Sequence, residues 1–423
     1  MNKNGFLKNV SWIMVSRAMQ LGLTFIMTML VARYLGPTEN GKLVYVYSYV
    51  QLFIPICTLG MNDIIVKELV DNKNRNDEIL GTMLLTRIAV SIVSMVCSVL
   101  LVSALNQEPI YRTIAALQSF SLLFQSFDCL MYFYQSRLLS QRSAMMYALA
   151  YISTSVFRLF CVMSGKGIRW FAFAHSLDYI LVAVLLLAVY LKDGYSFKFS
   201  LPVAKDLLKK SRYYIFAGIM IVLYGKVTDI LLLGKMVDDT AVGYYGAATT
   251  LCNAWPFVLT AIIDSSNPVI IDLYAKDKEL FKKRVKQLYA VVFYISVLAA
   301  LMIGLLSNLI IHILYGSEYM AAVTPLRIFA WSTIFSYLGV ARTSWMQCEK
   351  KTKHETTISL FGAFVNVTMN YVLIKRYGII GASCAAVLTQ FLTNYILLYC
   401  IKDTRENAKL ITEAILLKGV LNK

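Results

Sequence analysis

Charge is scarce in this sequence: 15% of its 423 residues are Asp, Glu, Lys or Arg, against about 25% in an average soluble domain. With 58% hydrophobic residues and a mean hydropathy of +0.62, such a chain could not cover its own surface in water. Histidine is scarce too. His175, His312 and His354 stand far apart and offer no metal-ligand spacing. The eight cysteines each stand alone in or beside an apolar run, so no C-x-x-C pair suggests zinc or a disulfide framework. No G-x-x-x-x-G-K-[ST] loop occurs, which removes that route to ATP. No cofactor is expected, and none of these absences favours an enzyme.

The apolar residues come in runs of about 20, the length that crosses a hydrocarbon core of roughly 30 Å at 1.5 Å per residue. The runs fall near 10–32, 41–66, 80–104, 113–136, 143–163, 170–191, 213–234, 243–268, 287–312, 321–347, 355–374 and 378–401. The first contains Arg17, is too long for a signal peptide and lacks a cleavage site, so it reads as a span. Pro55 and Pro256 predict kinks, and Pro325 and Arg327 make the tenth span the least rod-like. The chain is therefore expected to be an all-α integral membrane protein of about 12 transmembrane helices.

Cation placement orients it. With both termini in the cytoplasm, 27 of the 41 basic residues fall on the cytoplasmic side and 9 on the other, as the positive-inside rule requires. The net charge of +17 is thus a topology signal beside anionic lipid, and nucleic acid is not an expected partner. The polar stretch 192–212 divides the chain into six-span bundles at 1–191 and 213–401, followed by a cytoplasmic tail at 402–423. An even number of spans per half predicts parallel bundles. A duplication is also visible. Arg33, Leu35, Thr38 and Gly41 align at one constant offset with Lys235, Val237, Thr240 and Gly243.

Five cations remain inside the spans: Arg17, Arg87, Arg158, Lys226 and Arg342. Each costs roughly 2.5–3.5 kcal/mol at a helix centre unless paired, snorkelled or facing a polar interior. Arg87 sits near a cytoplasmic end, where snorkelling serves, and Lys226 shares a helix face with Asp229. The spans also carry Asp128, Asp178, Asp229 and Asp264, with His175 one turn from Asp178. These carboxylates and the histidine are candidates for ion coupling as well as for buried hydrogen bonds. Gln118 and Gln125, Asn366 and Asn370, and Gln390 and Asn394 share faces of spans 4, 11 and 12. Amides of this kind suit sugar hydroxyls, and they are equally ordinary contacts between helices. Cations with amides point to an anionic, phosphate-bearing headgroup, because arginine forks match phosphate oxygens.

The loop Arg33-Tyr34-Leu35-Gly36-Pro37-Thr38-Glu39-Asn40-Gly41 has the form R-x-L-G-x-x-x-x-G. With it come Asn9-Val10-Ser11-Trp12, Tyr315-Gly316-Ser317-Glu318-Tyr319 followed by Pro325-Leu326, and Tyr377-Gly378-Ile379-Ile380-Gly381-Ala382. On these residues the chain resembles, over nearly its whole length, the Wzx-type oligosaccharide flippases of the multidrug/oligosaccharidyl-lipid/polysaccharide exporter superfamily. The resemblance implies two six-helix bundles around a central cavity with alternating access, in the bacterial inner membrane. It implies movement of an undecaprenyl-diphosphate-linked oligosaccharide to the periplasmic leaflet for O-antigen, capsule or exopolysaccharide assembly, without covalent change. A polysaccharide polymerase and a chain-length regulator would then be partners, along with membrane lipids.

Lipid II flippases of this superfamily carry an Arg-Asp pair in the first span, whereas Arg17 here precedes Ala18. A cation-coupled multidrug exporter of the superfamily would want an acidic interior, and the cations argue against it. The loop after span 2, Lys67-Glu68-Leu69-Val70-Asp71-Asn72-Lys73-Asn74-Arg75, departs from the major facilitator pattern. The expected diphosphate ligands are Arg17, Lys226 and Arg342, with Arg87 and Arg158 as further cavity cations.

Overall fold

The structure, a computed structural model, describes residues 3–72 and 75–420; the side chains of residues 3–11, 13–18, 62–64, 224 and 226 lie outside what it describes. Every described element is helical, as lipid demands of a chain that must satisfy its backbone hydrogen bonds within each segment. The contacts divide the chain into two compact units.

Unit 1 comprises Met1–Leu35 and Lys42–Val222. Helix α1 (Lys3–Gln51) runs through spans 1 and 2 and is interrupted only at Gly36, whose φ of 73° is open to glycine at little cost. The sequence leaves 33–40 as a loop; Pro37, with its fixed φ, instead restarts the helix directly after the glycine. Span 2 then breaks at Pro55 into α2 (Ile54–Cys57) and α3 (Asn62–Asp71). Spans 3 to 6 are α4 (Asn76–Leu105), α5 with α6 (Pro109–Gln125, Cys129–Ser136), α7 (Ser140–Met163) and α8 (Ile168–Lys192). Phe133, Tyr134, Leu186 and Tyr190 fill the core.

The polar connection is shorter than the sequence suggests. Helix α9 (Leu201–Tyr224) begins inside it, because Ala204, Leu207 and Ser211 are buried at helical spacing while Lys205, Lys209, Lys210 and Arg212 stay exposed. Only 193–200 remains non-helical, and it is tied down by Lys198 N–H to the Asp77 carbonyl (3.1 Å) and Ser200 N–H to Thr82 Oγ1 (2.9 Å). Gly60 lies against Tyr214, and Gly218 against Pro55. These contacts hold the first half of α9 to unit 1, so the division falls at Val222, inside the seventh span, and not at 192–212.

Unit 2 comprises Gly36–Gly41 and Leu223–Lys423. Its helices are α10 (Lys226–Met236), α11 (Asp239–Ala254), α12 (Phe257–Lys276), α13 (Lys278–Leu314), α14 (Val323–Phe329), α15 (Ser332–Cys348), α16 (Lys353–Phe391), α17 (Leu397–Cys400) and α18 (Arg405–Ile415). The break around Pro256 separates α11 from α12, as expected. Helix α16 carries spans 11 and 12 and turns at Gly378 alone (φ 54°). The tenth span is broken, as Pro325 predicts, into a 3-10 turn, α14 and α15.

Among the described residues, eight helical stretches are long and apolar enough to cross a membrane, or nine if the bent pair Leu201–Leu223 and Val227–Met236 counts as one span. Two of the eight, Met19–Gln51 and Lys353–Cys400, contain the glycine turns at Gly36 and Gly378. The helices follow one another in the order of the expected spans. The tail is ordered beyond expectation: α18 buries Asn407, Ala408, Leu410, Ile411 and Ala414 against the core that holds Tyr289.

Unit 2 also contains Gly36–Gly41 of the first copy of the repeated motif and the whole second copy, and they meet through equivalent residues. The hydroxyls of Thr38 and Thr240 lie 2.8 Å apart, 202 positions apart in sequence. A Cβ at Gly243 would strike the Pro37 carbonyl, and one at Gly41 the Asp239 carbonyl, so both glycines are required by close backbone approach.

Candidate functional site

The intramembrane charges gather within each unit. In unit 1, Arg158 on α7 pairs with Asp178 on α8, and its Nη2 also donates to the Ala174 carbonyl at 3.4 Å. Thr154 Oγ1 donates to the other Asp178 oxygen at 2.5 Å. The expected His175–Asp178 contact is not the one formed. The histidine ring packs edge-on against Tyr47 (4.2 Å) and beside Tyr179 (5.7 Å), and its buried Nε2 has no hydrogen-bond partner among the described residues. Arg87 does not snorkel. It is fully buried, and its Nη2 donates to the Thr58 carbonyl at 2.7 Å, capping the end of α2.

Gln118 and Gln125 are separated in role. Gln118 Nε2 donates to the Leu43 carbonyl at 3.2 Å, a contact between helices. Gln125 faces a polar cavity of about 300 Å³ together with Asp128, which accepts from Tyr147 Oη at 2.8 Å.

Unit 2 holds two clusters. Asp229 on α10 is 2% exposed and accepts three hydrogen bonds: from Tyr245 Oη (2.5 Å) on α11, and from the amides of Asn366 (3.1 Å) and Asn370 (2.7 Å) on α16. Three donors that carry no charge of their own surround one carboxylate. In the second cluster, Arg342 on α15 is 3% exposed; its Nη2 donates to Glu355 at 2.9 Å and its Nη1 to Asn394 Oδ1 at 3.3 Å. Asn394 in turn donates to Gln390 at 2.7 Å. Asp264 is exposed on α12. The side chains of Arg17 and Lys226 lie outside the described residues, so the expected Lys226–Asp229 pair does too.

Sequence reasoning pairs Asn366 with Asn370 and Gln390 with Asn394; the structure brings the first pair onto Asp229 and, of the second, Asn394 onto Arg342 with Gln390 accepting from Asn394. It missed Tyr245, Glu355, Thr154 and the polar wall around Asp128. Only Tyr147 and Tyr151, four apart on one face of span 5, carried a local signal. The other partners are distant in sequence, as with Asn366 and Asp229, 137 positions apart.

Three comparisons bear on this arrangement. Residues 6–274 match the family described as polysaccharide biosynthesis protein, and residues 215–372 match the family described as MatE. A relative from Methanocaldococcus jannaschii, the uncharacterised membrane protein MJ1068, is 22% identical over 237 residues, which cover 52% of this chain and 46% of that protein. The match thus spans less than half of that relative's length. Among solved structures, the lipid II flippase MurJ in an inward closed conformation superposes with a TM-score of 0.73 at 14% identity, covering 99% of this chain and 93% of that one. An inward-facing multidrug resistance MATE family transporter of the MOP superfamily gives 0.71 at 13% identity, covering 93% and 96%. A MOP superfamily transporter from Pyrococcus furiosus gives 0.62 at 13%, covering 96% of each chain.

Proposed function

Since the chain belongs to the polysaccharide biosynthesis protein family and has the fold of MOP superfamily transporters, we propose that it is a flippase for a lipid-linked oligosaccharide. The cargo in this reading is an undecaprenyl-diphosphate-linked oligosaccharide, moved from the cytoplasmic to the periplasmic leaflet of a bacterial inner membrane by alternating access. Both termini lie in the cytoplasm. The product feeds O-antigen, capsule or exopolysaccharide assembly, where a polymerase and a chain-length regulator act next.

The observation that carries the reading is polarity where lipid penalises it. Within apolar helices, Arg342 is held with an amide pair and Asp229 with two further amides. Each uncompensated charge there costs roughly 2.5–3.5 kcal/mol. Arg158 is paired with Asp178, and Arg87 is fully buried with its Nη2 on the Thr58 carbonyl, so the diphosphate role is proposed for Arg17, Lys226 and Arg342. The 3.3 Å contact of Arg342 Nη1 with the Asn394 amide is one that a phosphate oxygen would displace. Asp229, ringed by neutral donors, is the site proposed for ion coupling.

The test is genetic. Deleting the gene in a strain whose surface polysaccharide depends on it should abolish that polymer and accumulate lipid-linked oligosaccharide in the cytoplasmic leaflet. Arg17→Ala, Lys226→Ala and Arg342→Ala should do the same at normal protein levels. Unchanged surface polymer in the deletion strain would exclude the flippase reading. Loss of drug resistance in its place would favour the multidrug exporter, and loss of cell-wall synthesis the lipid II flippase.

A further inference from the structure

The cavity beside Asp128 has the chemistry of a sugar site. It lies within unit 1, between α1, the α5–α6 break, α7 and α8. Its volume of about 300 Å³ is at the small end of ligand sites, about 300–1,000 Å³. That suits one sugar ring and not a whole oligosaccharide.

Six side chains make its character. Tyr147 and Tyr151, one turn apart on α7, lie nearly parallel, with ring centroids 6.3 Å apart and 20° between planes. Their hydroxyls are anchored: Tyr147 donates to Asp128 at 2.8 Å, and Tyr151 accepts from Gln20 Nε2 at 2.6 Å. The side-chain amides of Gln125 and Gln135 line the cavity and have no hydrogen-bond partner among the described residues. This separates them from the amides that tie helices together, such as Gln118 on the Leu43 carbonyl. Both side chains are only partly buried, so their amides are open to water or to a ligand that enters the cavity.

The donor set discriminates between occupants. The described lining contains no lysine or arginine, so it offers nothing to a diphosphate. It has one carboxylate, and no group of three or more metal-ligating His, Cys, Asp or Glu side chains occurs among the described residues. Amides present a donor and an acceptor side by side, the pattern that neighbouring sugar hydroxyls reciprocate, while a carboxylate accepts from two of them. The tyrosine pair offers flat apolar surface to the C–H face of a pyranose.

We propose that this cavity is a monosaccharide subsite that holds one neutral sugar of the cargo during translocation. The proposal rests on the flippase reading and deepens it.

The variants are Gln125→Leu, Gln135→Leu and the double, which keep side-chain size and remove the hydrogen bonds. They are compared with the parent for surface polysaccharide, for accumulated lipid-linked oligosaccharide, and for melting temperature in nanodiscs. The expected result is a tenfold or greater loss of surface polymer in the double variant, a smaller loss in each single, and an unchanged melting temperature. Full surface polymer in the folded double variant would overturn the subsite; if the double does not fold, full polymer in both singles does so. A loss restored by raising external sodium would assign the cavity to a cation and overturn it equally. The deletion strain separates the two readings. If deletion leaves the polymer intact, the flippase reading fails; if deletion abolishes it and the variants do not, only the subsite fails.

Discussion

Replacing Asp178 with leucine should destabilise unit 1 strongly, and replacing Arg158 along with it should undo most of the damage. The two side chains are only 10% and 13% exposed, so solvent cannot take over the charge that remains. After Asp178→Leu, the Arg158 guanidinium keeps only the Ala174 carbonyl at 3.4 Å among its described partners. Breaking a buried pair by removing one partner costs about 3–5 kcal/mol, which agrees with the roughly 2.5–3.5 kcal/mol charged for an unpaired arginine at mid-helix. A loss of about 3 kcal/mol corresponds to more than a hundredfold in the folding equilibrium. The double variant Arg158→Leu/Asp178→Leu removes both charges and refills the space, so it should lie within about 1 kcal/mol of the parent. Unfolding in bicelles, followed for the parent, both singles and the double, measures the coupling directly. A single variant that loses less than about 1 kcal/mol, or a double that loses the sum, would refute the pairing argument. Surface polysaccharide adds a second reading. A stable double variant that still exports should follow if Arg158 serves only its pair; a stable double that does not would make Arg158 a cargo ligand.

Asp229→Asn should fold yet lose the dependence of export on the sodium or proton gradient, measured in vesicles with imposed gradients; unaltered gradient dependence would remove Asp229 from coupling. Tyr245→Phe removes a 2.5 Å hydrogen bond to that carboxylate and should cost about 1.5–3 kcal/mol in unfolding experiments. At Gly339 an added Cβ would meet Asn394 Oδ1 at 2.5 Å, so Gly339→Ala should displace the amide that Arg342 holds and reduce export at near-normal protein levels. Asn407→Ala breaks the 2.6 Å hydrogen bond to Tyr289 and should release α18, seen as faster proteolysis of the tail.

The crossings were legible because lipid leaves so few solutions: a run of about 20 apolar residues has to be a helix. Where a crossing breaks was half legible. Pro55, Pro256 and Pro325 mark breaks that exist. Gly36 and Gly378 compress whole turns into single residues, and no composition shift flags that. The helical part of the linker and the docked tail were hidden by their charge, since an amphipathic helix on a basic surface reads as a polar loop until its buried face is seen. The buried cations and aspartates are legible in the sequence, but Glu355 and the pairings are not. Glu355 sits 13 positions from Arg342 and Asp178 sits 20 from Arg158, distances at which periodicity carries no information. Only packing decides which helix supplies the second member of a pair.

The meeting of Thr38 with Thr240 and of Gly41 with the Asp239 turn has the form of a two-fold dimer contact carried inside one chain. In a true dimer every substitution would occur twice, and a change that helped one side would be forced on the other. Fusion lifts that restriction, and the two copies have used the freedom. Position 36 is a left-handed glycine, while its counterpart Asp238 is an extended cap whose carboxylate accepts from the Ala241 N–H at 2.7 Å. The shared contact keeps its geometry while its flanks have become unlike, so a substitution at one flank need not have a counterpart at the other.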